Sequence, residues 1–230
     1  MQNLNVLYED NHIIVVEKPV NIPSQADKTG DIDMLTIIKQ YIKEKYNKPG
    51  NVYLGLVHRL DRPVGGVMVF AKTSKAASRL SEEVRLKQFE KKYLVIANGK
   101  FEKDKGELED YLLKNQAKNM SKVVKEGTKN SKLAKLDYEV IKYDPDLNLS
   151  VVKINLHTGR HHQIRLQLSN INHPIYGDQR YGFQDKKQIM LYAYKLEFIH
   201  PVTKEVMTFK NLPNWNIVKS EEDILWGTYI

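Results

Sequence analysis

The stretch His58-Arg59-Leu60-Asp61-Arg62-Pro63-Val64-Gly65-Gly66-Val67-Met68-Val69-Phe70-Ala71-Lys72 places one carboxylate, that of Asp61, between two arginines and just ahead of a glycine pair. The apolar residues 67–71 that follow predict a buried strand. Glycines permit a sharp turn, so the pair predicts a turn that holds Asp61 rigidly outside the core. The two flanking cations favour the ionised carboxylate. This arrangement is typical of a nucleophile or base presented to a polyanion.

Short apolar runs separated by turn residues recur on both sides of this stretch and predict mostly strands. The predicted strands are 6–8, 13–17, 53–57, 67–71, 91–97, 135–143, 149–156, 191–199 and 205–209, with strands and a long basic hairpin within 99–128. The predicted helices are 32–46 with Asp31 as N-cap, 74–86 capped by Thr73 or Ser74, and a cap followed by a helix within 158–169. Strands outnumber helices and short turns join them. We therefore predict a single α+β domain, residues 1–230, with a largely antiparallel sheet.

The composition indicates an anionic partner without deciding which one. Lys and Arg number 36 against 28 Asp and Glu, which gives a net charge of +8 and a pI near 9.3. Such a balance favours nucleic acid, and an ordinary basic enzyme fits it about equally well. The chain has no cysteine, which excludes disulfides, zinc–thiolate sites and cysteine nucleophiles. We see no signal peptide and no run of about 20 apolar residues, so we expect a cytoplasmic protein without a membrane partner.

A second informative stretch is Thr158-Gly159-Arg160-His161-His162-Gln163-Ile164-Arg165. Two arginines near the N-terminus of a helix suit a carboxylate or phosphate. The four-residue spacing of His157 and His161 allows a zinc alternative. No glutamate accompanies these histidines and Gly159 places a turn between them, so we predict no metal and assign His162 a hydrogen-bonding role.

Tyr93 opens an apolar strand in Phe89-Glu90-Lys91-Lys92-Tyr93-Leu94-Val95. On the sequence alone the simpler interpretation is a core aromatic side chain.

Together these motifs resemble the RluA-type pseudouridine synthases. The resemblance extends over residues 5–210 and includes 8–10, 16–19, 22–23, 173–178, 191–196 and 200–201 in the family's order. It implies that Asp61 is catalytic, that Arg165 pairs with it, and that Tyr93, in a Lys-x-Tyr motif with Lys91, stacks on the target uracil. It further implies a mixed, mainly antiparallel sheet, an RNA substrate, either ribosomal or transfer RNA, and no cofactor.

The remaining predicted site residues are assigned to substrate binding. Arg59 fills the gap left by the flipped base or contacts a phosphate, and the others are His58, Arg62, Arg160, His162 and Gln163. Lysines 114, 118, 122, 125 and 129 form either an RNA-binding rim or a solvated charged loop. We expect a monomer.

Two departures from the family pattern stand out. Val64-Gly65-Gly66 replaces a Thr-Ser-Gly-like turn. We also expect the accessory N-terminal RNA-binding domain of many relatives to be absent. The alternative function is a non-catalytic RNA-binding or ribosome-assembly factor on the same fold.

Overall fold

An 11-stranded mixed sheet forms the centre of the protein, and three helices pack against it in residues 4–183 and 186–215, which the computed structural model describes. The strands are β1 (Val6–Glu9), β2 (Ile13–Lys18), β3 (Gly55–Leu56), β4 (Gly65–Ala71), β5 (Glu90–Asn98), β6 (Lys105–Asn115), β7 (Met120–Val124), β8 (Lys132–Asp144), β9 (Leu149–Leu156), β10 (Leu191–Ile199) and β11 (Val206–Lys210). The helices are α1 (Met34–Lys45), α2 (Ser74–Arg85) and α3 (Gln163–Asn170). Among the described strands only β4 and β10 pair in parallel, so the predicted α+β fold with a mainly antiparallel sheet is confirmed. The predicted range 1–230 includes residues 1–3, 184–185 and 216–230, which lie outside the described residues.

Strand β2 begins with four consecutive apolar residues, and because successive side chains of a strand point to opposite faces, these residues pack on both faces of the sheet. Ile14 and Val16 belong to a buried cluster with the apolar face of α1, formed by Met34, Ile38 and Ile42. Ile13 and Val15 belong to a second cluster with Ala76 and Leu80 of α2. Because helices cover both faces here, every residue of β4 is buried. The strand that follows Asp61 is therefore held firmly in the core.

Helix α1 begins two residues later than predicted, with Asp33 rather than Asp31 as its N-cap. The Asp33 carboxylate accepts hydrogen bonds from the backbone N–H groups of Leu35 and Thr36. Starting the helix here buries Met34 completely, whereas Ile32 stays exposed. The Asp31 carboxylate binds Arg62 instead. The Thr73 cap of α2 is confirmed.

The predicted strand 53–57 is reduced to the two residues of β3, because three different partners share that edge of β4. Strand β3 pairs with Phe70 and Ala71. The next donor, the Val69 N–H, is bound by the His58 imidazole Nε2 at 3.1 Å. The far end of the edge, at Gly65 and Gly66, pairs with β10.

Strand β10 lies between β4 and β5, although it is formed by residues far later in the chain. The strand order is β1-β2-β4-β10-β5-β9-β8-β6-β7. The close approach of β4 and β10 requires a glycine at position 66, where φ is +133° and a Cβ atom would lie 2.3 Å from the Ala193 carbonyl oxygen. Gly66, the second glycine of the pair, thus allows β4 to pair closely with β10, the strand that connects β4 to β5.

Helix α3 begins only at Gln163, later than the predicted start. Thr158, the expected cap, lies in the preceding loop, where its hydroxyl accepts a hydrogen bond from the backbone N–H of Lys135 in β8. His162 occupies the N-cap position with a left-handed φ of 55° and no side-chain cap. Arg160 therefore precedes the helix, while Arg165 lies within it. In the described part of the chain, no helix combines the length and the apolar character needed to cross a bilayer.

Candidate active site

A cavity of about 520 Å³ lies where the loop before β4, the start of β5 and the start of α3 meet. Its lining comes mainly from residues 57–64, 84–93 and 156–165. Asp61, Tyr93 and Arg165, which are far apart in the sequence, all line this one cavity. A volume of this size is in the range of ordinary small-ligand sites and is enough for one nucleoside.

The backbone around Asp61 is fixed on both sides of the residue. The Ser24 hydroxyl donates to the Leu60 carbonyl at 2.9 Å and accepts from the Leu60 N–H at 3.2 Å. The Lys18 ammonium donates to the Arg62 carbonyl at 3.0 Å. Lys18 is fully buried, and burial lowers its pKa to about 7, against the opposing charge of Asp61. These contacts hold Asp61 in place while its side chain stays about a quarter exposed.

Arg165 links Asp61 to a second, buried carboxylate. Its Nη1 lies 3.4 Å from Asp61 Oδ2, and its Nε and Nη2 donate to the two oxygens of Asp178 at 2.8 and 2.7 Å. Arg165 is 4% exposed and Asp178 is 0% exposed. Burial alone would raise the pKa of Asp178, but the hydrogen bonds and charge of Arg165 outweigh it, and the pKa lies below its ordinary value. Asp178 thus holds the guanidinium in position, and Asp61 receives its remaining edge.

His162 also faces the Asp61 carboxylate, with Nε2 3.7 Å from Oδ2. Its Nδ1 lies 3.0 Å from the Tyr181 hydroxyl oxygen, and its ring stacks on His161 with centroids 3.7 Å apart. Burial lowers the pKa of His162 to about 3. The imidazole is therefore neutral near pH 7 and can offer one N–H to the cavity.

Tyr93 is both a buried aromatic and a cavity-lining residue, so the two interpretations of the sequence are compatible. Only 7% of its surface is exposed, and its ring belongs to the cluster that includes Leu191 and Ala193. Burial, and then the charge of Asp61, raise the pKa of its phenol above the ordinary value. The phenol is therefore protonated at neutral pH, and the side chain offers an aromatic surface with one polar end.

The cavity carries a strong excess of positive charge. Asp61 is the one acid among its described lining residues, against six cationic side chains: Arg59, Arg85, Lys87, Lys91, Arg160 and Arg165. Arg59 and Lys91 form no ion pair with any described residue, so their charges remain available to a ligand. A cavity of this kind favours an anionic ligand and leaves one carboxylate for chemistry.

The comparisons with known proteins agree with this geometry. Residues 12–170 match the family model described as RNA pseudouridylate synthase. The chain belongs to this family. It is 33% identical to an uncharacterized RNA pseudouridine synthase of Aquifex aeolicus, over 92% of this chain and 72% of that protein.

Two further relatives carry names that specify an RNA. Ribosomal large subunit pseudouridine synthase C of Buchnera aphidicola subsp. Schizaphis graminum is 32% identical over 88% of this chain and 65% of its own length. The tRNA pseudouridine synthase C of Pasteurella multocida is 31% identical over 89% of each chain.

A solved structure supports the fold. Human RNA Pseudouridylate Synthase Domain Containing 4 superposes with a TM-score of 0.76 at 23% identity, over 91% of this chain and 89% of that one. The resemblance to RluA-type enzymes is thereby confirmed, and the pseudouridine synthase described here is an isomerase that acts on RNA uridine.

Two of the predicted substrate-binding side chains, those of His58 and Gln163, form hydrogen bonds within the protein. His58 lines the cavity, but its Nε2 is bound to the Val69 N–H, and burial lowers its pKa to about 3. Gln163 uses its amide oxygen for Thr158 and the Arg160 N–H, and its amide nitrogen for Gln167 and a carbonyl. The amide of Gln163 thus has no spare hydrogen-bonding capacity for RNA, whereas a neutral His58 with Nε2 as acceptor keeps its Nδ1–H as a donor.

Arg62 is not among the residues that line the cavity. Its guanidinium binds the Asp31 carboxylate, the Thr29 hydroxyl at 3.0 Å and the Asn21 carbonyl at 3.2 Å. It therefore fixes the 21–31 loop and does not flank the Asp61 carboxylate. Arg160 does line the cavity, although its Nε donates to the Leu133 carbonyl at 2.8 Å.

The histidines considered for zinc have separate partners. His157 Nε2 lies 2.6 Å from Asp137, and His161 contacts Ser121 and Asn119. Within residues 4–183 and 186–215, no group of three or more His, Asp or Glu side chains is arranged to hold a metal ion.

The basic hairpin is present as β6 and β7, and it borders the start of α3. All five predicted rim lysines are exposed. Lys114, Lys118 and Lys122 lie on the hairpin, whereas Lys125 and Lys129 lie in the loop before β8.

The sequence did not reveal the roles of Asp178, Tyr181 and Lys18. The motif 173–178 was recognised, but nothing along the chain indicates that Asp178 meets Arg165. A buried lysine followed by proline gave no signal of its contact with the Asp61 turn. Only the folded arrangement shows these roles.

Proposed function

We propose that this synthase converts specific uridines of ribosomal or transfer RNA to pseudouridine, with Asp61 as the catalytic carboxylate. The observation that carries the proposal is the single carboxylate in a cation-lined cavity, held against Arg165 at 3.4 Å. The relatives named for ribosomal RNA and for tRNA support both RNA classes.

The target base must leave its stack to reach Asp61, because the carboxylate lies inside a cavity and not on a flat surface. Arg59 and Lys91, which pair with no described acid, are suited to the phosphates on either side of the flipped nucleotide. Arg59 is exposed next to Asp61 and can also occupy the space that the base vacates. Tyr93 provides the aromatic surface for the uracil.

The reaction breaks the N1–C1′ bond, turns the uracil within the cavity and joins C5 to C1′; the C5 proton leaves and N1 gains a proton, so the product is an isomer of the substrate. Atoms and electrons balance without an external group donor or oxidant. Asp61 either attacks C1′, in which case its bond to C1′ breaks when C5 joins, or removes a sugar proton that it returns once C5 has joined. Arg165 holds the carboxylate in the required orientation. Tyr93, being protonated, helps the C5 proton move as a donor or relay and not as a phenolate base.

The test uses total RNA from cells that lack this gene, incubated with the purified full chain and mapped for pseudouridine. Wild type should modify discrete uridines, and Asp61→Asn should modify none while it binds the RNA as well as wild type or slightly better. Asp104→Asn is the matched control, because it removes one exposed carboxylate elsewhere and should keep full activity.

Two outcomes contradict the proposal in different ways. Activity of Asp61→Asn near that of wild type would show that the carboxylate is misassigned. A wild-type protein that binds RNA and modifies none of it would favour the non-catalytic alternative.

A further inference from the structure

Tyr181 connects the basic hairpin to the residues that hold Asp61. Its hydroxyl oxygen accepts a hydrogen bond from the backbone N–H of Ser121 in β7 at 2.7 Å and lies 3.0 Å from His162 Nδ1. Its ring lies under the Arg165 guanidinium, with Cζ 5.5 Å from the centroid. Tyr181 therefore touches both side chains that face the Asp61 carboxylate, and the hairpin as well.

Three groups form a series of hydrogen bonds: the Ser121 N–H, the Tyr181 hydroxyl and His162 Nδ1. The protons that these groups carry determine which of them donates and which accepts. The Ser121 N–H can only donate, so it occupies one acceptor site of the Tyr181 oxygen. The phenol keeps its own proton, because burial raises the pKa of Tyr181. That proton can be donated to His162 Nδ1, provided that Nδ1 is the unprotonated nitrogen of the ring.

The opposite tautomer is unfavourable at both ends of the imidazole. A proton on Nδ1 would make the Tyr181 oxygen accept twice and would leave the phenol proton without this partner. It would also place the Nε2 lone pair 3.7 Å from the Asp61 carboxylate oxygen, where two negative ends repel. The tautomer with the proton on Nε2 removes both conflicts and directs a positive N–H end to Asp61.

We infer that Tyr181 is a positioning residue, which holds His162 in the tautomer whose Nε2–H faces Asp61. Because the Tyr181 hydroxyl is also bound by Ser121 of β7, this tautomer depends on the contact between the hairpin and Tyr181. The inference rests on the proposed role of Asp61. Aligned hydrogen bonds polarise one another, so the Ser121 N–H strengthens donation by the phenol. Ser121 also contacts His161 Nδ1 through its hydroxyl at 3.0 Å, which fixes the hairpin beside the same histidine pair. RNA held by the hairpin lysines is thereby coupled to the catalytic carboxylate.

The first test is independent of RNA and of activity. In the full chain labelled with ¹⁵N-histidine, the His162 signals are assigned by their loss in His162→Gln. Wild type should show Nδ1 as the unprotonated nitrogen and Nε2 as the protonated one, and Tyr181→Phe should shift both signals toward the other tautomer. A wild-type His162 protonated on Nδ1 would overturn the inference, whether or not the variant folds.

The second test measures the single-turnover rate and the dissociation constant on an RNA that wild type modifies. Tyr181→Phe keeps the ring and should slow the reaction about tenfold, with RNA affinity changed less than about twofold. Tyr143→Phe is the matched control, since it also removes a phenol hydroxyl, one that donates a hydrogen bond to Asn148 and is not part of the cavity lining. A purely structural role would lower the melting temperature and leave the rate per folded molecule unchanged, and that result would refute the coupling.

The two tests separate this inference from the proposed function. If wild type modifies no RNA, the proposed function fails, while the NMR result still decides the tautomer.

Discussion

Replacing Asp178 by asparagine tests the claim that a buried carboxylate, and not Asp61 alone, holds Arg165. The substitution keeps the shape but removes the charge and turns one acceptor into an N–H₂ donor facing the guanidinium. Two hydrogen bonds, at 2.8 and 2.7 Å, are weakened or lost, each worth about 1.5–3 kcal/mol because both partners are charged. Arg165, 4% exposed, then keeps only Asp61 at 3.4 Å as a described acidic partner.

We expect the free energy of unfolding to fall by about 3–5 kcal/mol, the usual cost of breaking a buried ion pair. It is measured by urea unfolding, followed by circular dichroism at pH 7. The released guanidinium should move toward Asp61, so the single-turnover rate should fall as well.

Asp144→Asn is the matched control for this experiment. Asp144 Oδ1 accepts the backbone N–H groups of Asp146 and Leu147, as Asp178 Oδ1 accepts those of Arg180 and Tyr181. No arginine contact accompanies the Asp144 carboxylate among the described ion pairs. If the two substitutions cost the same within about 0.5 kcal/mol, the ion pair contributes nothing beyond the turn and the reasoning is refuted.

Three further predictions concern stability and RNA binding. Gly66→Ala should cost about 2–4 kcal/mol or prevent folding, because its Cβ would lie 2.3 Å from a backbone oxygen, whereas Gly50→Ala, in open space, should cost almost nothing in the same urea assay. Burial alone would raise the pKa of Glu9, but hydrogen bonds from two lysines and a tyrosine lower it to about 2. The ionised Glu9 therefore stabilises the fold above about pH 4.5, and this contribution, at most about 3 kcal/mol, should disappear as the pH falls toward 2. If the free energy of unfolding of Glu9→Gln depends on pH as that of wild type does, this prediction is wrong. Replacing Lys118 and Lys122 together by alanine should reduce the slope of log affinity against log salt by about 1.4, and an unchanged slope would show that the hairpin does not contact RNA.

The fold was largely predictable because the apolar runs of strands and the turn residues between them can be recognised from neighbouring residues in the sequence. Strands 149–156 and 191–199 were predicted with the same bounds as β9 and β10. The errors occurred where a tertiary contact decides a boundary. Asp31 and Asp33 are equally good N-caps in isolation, and the burial of Met34 selects Asp33. The start of α3 is likewise set by contacts to β8, which no local pattern encodes.

The site was predictable in its types of residue and less so in its geometry. Asp61, Tyr93 and Arg165 were identified, and all three line the cavity. Arg62 carries the same positive charge as Arg165 and is adjacent to Asp61 in the sequence, yet its side chain binds the 21–31 loop. Residues 61–64 form a turn closed by a hydrogen bond from the Val64 N–H to the Asp61 carbonyl at 3.0 Å, so proximity to a carboxylate in sequence is a poor guide to contact with it.

The position of β10 between β4 and β5 has a consequence for synthesis of the protein on the ribosome. Asp61 precedes β4 and Tyr93 lies on β5, and these two strands do not hydrogen-bond to each other; each pairs with β10. Strand β10 separates the strands β1, β2 and β4 from the strands β5 to β9. Until residue 199 has left the ribosome, these two groups of strands are not joined, and the edges of β4 and β5 that pair with β10 remain unpaired. The active centre can therefore be completed only late in translation, when β10 arrives.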